Sequence, residues 1–245
     1  MESIQWDQAR DSYCYPFDLR QFHRKKEFPE EFFNLQSKGG RDVTIQFENR
    51  FRTLARNHCE VYIEVLFWKL FSKRVKDPAL DSNSWYNSAI DILKKTSPYA
   101  FWTEISDFVD ALNHDNIHDV MKNYQRIAGH IRIRNKLIIP LTFTSLAYPE
   151  ILPMIDTVVI SWINGNLKEH NTGRKNTLIA FPIMTPTIEN DLPRYIRWVG
   201  WCRESAEILN HLSRYNDWRP RDVEMAVFTY QRLGLGKQLE ILHRA

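Results

Sequence analysis

The 245-residue chain is 43% apolar and 13% aromatic, which excludes a disordered polymer and is enough to bury a sizeable core as one domain or two lobes of one. Its formal charge of +3 is mildly basic, which permits a nucleic-acid partner without requiring one. The longest apolar stretches, 137–143 and 151–163, are interrupted by Pro140, Pro153 and Asp156, so no membrane span is expected. Cys14, Cys59 and Cys202 are odd in number and form no Cys-x-x-Cys, which suits a reducing cytoplasm and excludes a four-cysteine iron–sulfur site. The first residues, Met1 to Asp7, carry neither a basic start nor an apolar segment, so no secretory signal is expected.

In chain order, residues 1–40 hold Trp6, Tyr13, Tyr15, Phe17, Phe22, Phe28, Phe32 and Phe33 without a clean period and read as an N-terminal extension packed over the domain. From Asp42, a candidate cap, Phe47, Phe51, Leu54, Ala55, Cys59, Tyr62, Ile63, Leu66 and Leu70 recur at helical spacing, which predicts one long helix over 43–73. A polar linker containing Pro78 separates it from a short helix bearing Trp85, Ala89, Ile92 and Leu93. Ser97-Pro98 ends that helix and starts the next, which carries Trp102, Ile105, Phe108, Val109 and Leu112. Asp115 is the expected cap of a further helix through Ile117, Val120, Tyr124 and Ile127, broken at Gly129. Beyond the stretch 127–163, residues 165–193 are rich in Asn, Thr, Gly and Pro and read as a long loop. Helical periodicity returns over 194–212, and Trp218-Arg219-Pro220-Arg221-Asp222 opens a last helix, stopped at Gly234 and Gly236. The expected fold is all-α.

The stretch 127–163 organises the rest. Pro140 is tolerated only in the first turn of a helix, which places a helix start close to Lys136. Pro149 stops that helix, Pro153 stiffens the connection, and Asp156 stands where a side-chain oxygen would cap the next amphipathic run, Val158, Val159, Trp162 and Ile163. Lys136 and Asp156 thus sit at two successive helix starts, 156 − 136 = 20 residues apart.

This arrangement resembles the helix-hairpin-helix DNA glycosylase superfamily, in which a lysine near the start of the hairpin's second helix attacks the sugar and an aspartate capping a later helix assists. Ile155-Asp156-Thr157-Val158-Val159 is similar to the family's Val-Asp-Thr-x-Val segment. The resemblance implies a two-lobed helical domain over 1–245, with 1–40 as an extension, 41–84 and 164–245 as one lobe, and 85–163 as the second, carrying the hairpin. It implies double-stranded DNA as partner, a monomer, and base excision with abasic-site lyase chemistry on an oxidised purine such as 8-oxoguanine. No metal or organic cofactor is implied, and the location would be cytoplasmic or nucleoid-associated. The family's hairpin has two glycines. Here only Gly129 precedes Lys136, and Arg132 and Arg134 stand where small residues are usual, so arginine contacts would replace a backbone clamp on phosphate.

A lysine nucleophile must be neutral, which requires burial or nearby positive charge; a helix N-terminus at Lys136 would supply a partial charge, and Arg132 and Arg134 full ones if they point the same way. Asp156 would stabilise charge developing on the sugar; capping alone also explains it. Gly129, His130, Arg132 and Arg134 would line one DNA strand, with Arg174 and Lys175 of the long loop adding to the footprint; the bland reading is a solvated polar face. His114 and His118 share the spacing of a metal pair, but His114 falls outside the helix that follows it, so no metal is expected. The tryptophans supply either core or a base-stacking platform. The competing function is a non-enzymatic helical module that binds DNA or another protein.

Overall fold

The computed structural model describes residues 2–14, 40–71, 85–114, 116–131, 137–182 and 186–233. Among the described residues every regular element is a helix, so the fold is all-α. No described helix is long and apolar enough to cross a membrane. The chain divides into two units, one built from 15–147 and the other from 1–14 together with 148–245. The boundary therefore falls at the end of the helix that follows Lys136, where 163/164 was expected, and the helices of 40–71 pack within the first of these units.

In the 15–147 unit the helices are α2 (Gly40–Leu54), α3 (Glu60–Phe71), α4 (Trp85–Leu93), α5 (Pro98–Asn113), α6 (Ile117–His130) and α7 (Ile138–Ala147). The single helix expected over 43–73 is two. The apolar period runs unbroken through 55–59, but the backbone there turns, with Asn57 N–H and His58 N–H both donating to Leu54 O, and the Tyr62 hydroxyl donating to Ala55 O at 2.8 Å. Asp42 lies inside the first turn of α2, which starts at Gly40 in the left-handed region (φ 91°) that a side chain would disfavour. Ser97 caps α5 as expected, its hydroxyl accepting from Ala100 N–H with Pro98 at the first helical position. The cap of α6 is Asn116, which accepts from Asp119 N–H; Asp115, the expected cap, lies outside the described residues.

Helix α7 is the hub of this unit. It is buried from Pro140 to Ala147 and packs against α2, α3, α5 and α6. A helix buried on all sides must satisfy its own polar groups. Thr142, Thr144 and Ser145 do so by donating to Ile138 O and Leu141 O. Around it Tyr62 stacks on Phe101 at 4.5 Å, and Phe143 lies 5.3 Å from Phe101. Glu64, fully buried on α3, receives a bidentate pair of bonds from Arg50 at 3.0 Å; burial pushes its carboxyl up against the pull of that guanidinium.

The other unit contains α1 (Glu2–Asp11), α8 (Thr157–Gly165), α9 (Leu167–Asn171), α10 (Ile188–Leu212) and α11 (Pro220–Leu233). Helix α11 is central, packed by α1, α8 and α10. Residues 2–14 pack as part of this unit: α1 buries Trp6 and Ala9, and Tyr13, just past its end, is buried as well. The stripe escapes a hydrophobic reading because Asp7 and Arg10 share it, paired with Arg214 and Asp217. The long loop of 165–193 is shorter than expected, interrupted by α9 and ended by α10 at Ile188. Pro193 sits inside α10, past the first turn where a proline costs nothing, and Asp191 closes the start by accepting from Thr187 N–H. Pro220 opens α11 as expected, and Asp222 accepts from the N–H and side chain of Arg219. Gly234 and Gly236 lie outside the described residues.

Candidate functional site

Asp156 is the expected residue whose geometry is most fully defined. Its Oδ1 accepts from Val158 N–H at 2.8 Å and Val159 N–H at 2.9 Å, and its own carbonyl accepts from Ile160 N–H, so it caps α8 in extended backbone conformation. Both cap bonds fall on Oδ1, so Oδ2 takes no part in the cap. The residue is 5% exposed. The carboxylate stands at the positive end of the α8 dipole.

The loop that delivers Asp156 is held carbonyl by carbonyl. Pro149 O accepts from Arg221 N–H, Ile151 O from Arg203 Nε at 3.2 Å, Pro153 O from the Tyr195 hydroxyl at 3.0 Å and Met154 O from Trp198 Nε1 at 2.9 Å. Two prolines remove donors from this segment; α10 supplies side-chain donors to three of the four carbonyls, and the first turn of α11 supplies a backbone N–H to the fourth. Tyr195, Trp198 and Arg203 lie near one face of α10. In the sequence all three fall within the helical periodicity of 194–212, and their spacing is the available signal, but their partners are not legible there.

The second expected residue, Lys136, lies outside the described residues with Arg132 and Arg134. Helix α7 begins at Ile138 with Pro140 in its first turn, as the proline argument requires. Gly129 and His130 are described, and both belong to α6, which runs through Gly129 to His130 where a break was expected. Gly129 therefore does not form a tight turn. Open space surrounds the position its Cβ would occupy, so neither packing nor a positive φ demands glycine there. His130 Nε2 donates to Glu104 at 2.6 Å, its ring lies 4.7 Å from Phe101, and Nδ1 is 3.5 Å from the Thr96 hydroxyl. Thr96 directs its own proton to Ile92 O, so this trio ties α4, α5 and α6 together and leaves no activated hydroxyl.

Arg174 and Lys175 take different roles. Arg174 is 8% exposed, its guanidinium 4.7 Å over the face of Trp201. Lys175 is exposed, but its N–H donates to Glu204, which also accepts from Asn176 N–H and Nδ2. Burial pushes the Glu204 carboxyl up, and these three donors with Arg174 bring it below the ordinary value. The segment is thus docked on α10. Beside it His170 stacks on Trp162 at 3.6 Å and donates from Nε2 to Trp162 O, leaving Nδ1 buried without a hydrogen-bond partner. Burial, with the nearby Arg174 charge, lowers this imidazole to about 4.

The chain matches no protein-family model, no curated protein and no solved structure. Among the described residues no three of His, Cys, Asp and Glu are grouped to hold a metal ion. Of the candidate stacking aromatics, Trp102, Trp162, Trp198, Trp201 and Trp218 are buried core residues, and the side chains of Trp68 and Trp85 lie outside the description.

Proposed function

We propose that the chain is a DNA N-glycosylase with abasic-site lyase activity, acting as a monomer on double-stranded DNA, with 8-oxoguanine as the first lesion to test. The observation that carries the reading is Asp156: a carboxylate fixed by two amides at a helix start, behind a proline loop braced from α10, twenty residues after the lysine that precedes α7. In this mechanism the neutral Lys136 amine attacks the anomeric carbon of a flipped nucleotide, and the glycosidic bond breaks with its electron pair leaving on the base. The carboxylate of Asp156 stabilises positive charge developing on the sugar. Loss of the base and opening of the sugar ring leave a Schiff base on Lys136, from which β-elimination cuts the strand. Arg132 and Arg134 would hold phosphates. None of these steps calls for a metal or organic cofactor.

Borohydride trapping on 8-oxoguanine and abasic duplexes tests the reading. A covalent adduct in the native chain, absent in Lys136→Ala and weakened in Asp156→Asn, is the expected result. A second reading, a non-enzymatic helical module, draws on Gly129 and His130 lying within α6 and on Arg174 lying against Trp201. No adduct together with salt-sensitive duplex binding would favour that module as a DNA binder, and no DNA binding would leave a protein-interaction role.

A further inference from the structure

Five of the chain's eight tryptophans, Trp6, Trp162, Trp198, Trp201 and Trp218, form one network in the unit that holds α8 to α11. Trp198 and Trp201 stack at 5.6 Å between centroids, 13° from parallel, and Trp162 lies 5.4 Å from Trp201. Trp6 extends the chain, 6.3 Å from Trp201 and 6.4 Å from Trp218. From Trp218 the guanidinium of Arg10 bridges to Tyr215, 4.9 Å over the first ring and 4.4 Å over the second. Asp217 lies 2.6 Å from Arg10 and offsets its charge. At the outer end the Tyr215 hydroxyl reaches both oxygens of Asp11 at 3.0 Å, and Arg214 ion-pairs with the same carboxylate.

Hydrophobic packing accounts for five buried indoles. It does not account for the way the network ends. Indole and phenol are the most readily oxidised rings in a protein, and loss of one electron makes their N–H or O–H strongly acidic. The Nε1–H groups of Trp198 and Trp201 donate to the carbonyls of Met154 and His170, which are too weakly basic to keep a proton. An electron hole on these rings therefore stays a cation radical and stays mobile. At Tyr215 the ring's own proton faces a carboxylate.

We infer that this tryptophan network and Tyr215 form a relay that carries an electron hole from the interior to the surface. The hole arises when ultraviolet light ejects an electron from an indole into water. Each hop returns an electron to the indole last oxidised. In the final step an electron passes from Tyr215 to the Trp218 cation radical while the phenolic proton moves to Asp11, giving neutral Trp218, a neutral tyrosyl radical and a protonated Asp11. A thiol in solution then donates a hydrogen atom to the tyrosyl oxygen, and Asp11 returns its proton to water. The relay is independent of glycosylase chemistry. Its inner end abuts the loop that carries Asp156, through Trp198 and Met154.

The test is transient absorption on the full chain after an ultraviolet pulse, with nitrate to capture the ejected electron. Tryptophan radical should decay as tyrosyl radical grows. Tyr215→Phe keeps the ring beneath Arg10 and should abolish that growth, prolong the tryptophan radical and raise oxidation products on Trp198 and Trp201 in peptide mapping. Asp11→Asn should slow the growth several-fold, because the proton must then go to water. The inference is overturned if the native chain shows no tyrosyl growth, if growth persists in Tyr215→Phe, or if Asp11→Asn leaves its rate unchanged.

Discussion

Asp156 combines a structural duty with a proposed chemical one, and two substitutions separate them. Asp156→Ala removes the acceptor for two amides and should cost about 1 kcal/mol, read as a lower urea midpoint. Asp156→Asn keeps an oxygen for the cap, so its midpoint should stay close to that of the native chain while its trapping yield falls. Equal losses of stability in the two variants would mean that the charge, and not the hydrogen-bond geometry, holds the start of α8.

His170 makes stability depend on acidity. An unfolded chain takes up a proton on this imidazole below about 6.5, whereas the folded chain does not until about 4. Across that window the unfolded state binds more protons, so stability falls as pH is lowered, with no further loss from this group below about 4. The gap is worth about 3 kcal/mol at most. Urea midpoints measured from pH 7 to pH 4 should show this slope in the native chain and a flatter one in His170→Gln, even though that variant starts less stable.

At the scale of elements, α10 acts as the template on which the Asp156 loop is laid. Tyr195→Phe removes the hydroxyl that donates to Pro153 O and should cost about 0.5 to 1.5 kcal/mol. If the proposed reaction is correct, the same change lowers the trapping rate more than it lowers duplex affinity, since it moves the carboxylate and touches no phosphate contact. How much of this was legible depended on reach. Ser97, Asp156 and Pro220 announce helix starts because their bonds or constraints close within three residues, and those starts were read correctly. The turn at 55–59 was not readable, because Leu54, Ala55, Cys59 and Tyr62 keep the helical period through a backbone that has left it. Helix α1 was hidden for a different reason: Asp7 and Arg10 break the apolar stripe, and their partners Arg214 and Asp217 are both 207 residues distant. The carbonyl partners of Tyr195 and Trp198, 42 and 44 residues away, are likewise beyond any local pattern. Arg174 illustrates the opposite error, a cation in a polar loop that reads as surface and proves to cover an indole.

At the scale of the molecule, the unit of α8 to α11 is discontinuous in sequence, since residues 1–14 complete it. Trp6 is 1% exposed and touches both Trp201 and Trp218. Trp6→Ala should cost about 3 to 5 kcal/mol by opening a cavity beside two indoles. Intrinsic fluorescence of the variant should shift to the red as water reaches those rings, and an unchanged spectrum would mean that α1 contributes little to closing the unit.

During synthesis on the ribosome, helix α1 emerges well over a hundred residues before α11, the surface it packs against, has been made. The 15–147 unit has all of its partners in one continuous stretch and is able to close while translation proceeds. The indole of Trp6 has to wait through that interval with its greasy face uncovered, a natural handle for a nascent-chain chaperone and the point at which slowed elongation would most readily divert the polypeptide into aggregates.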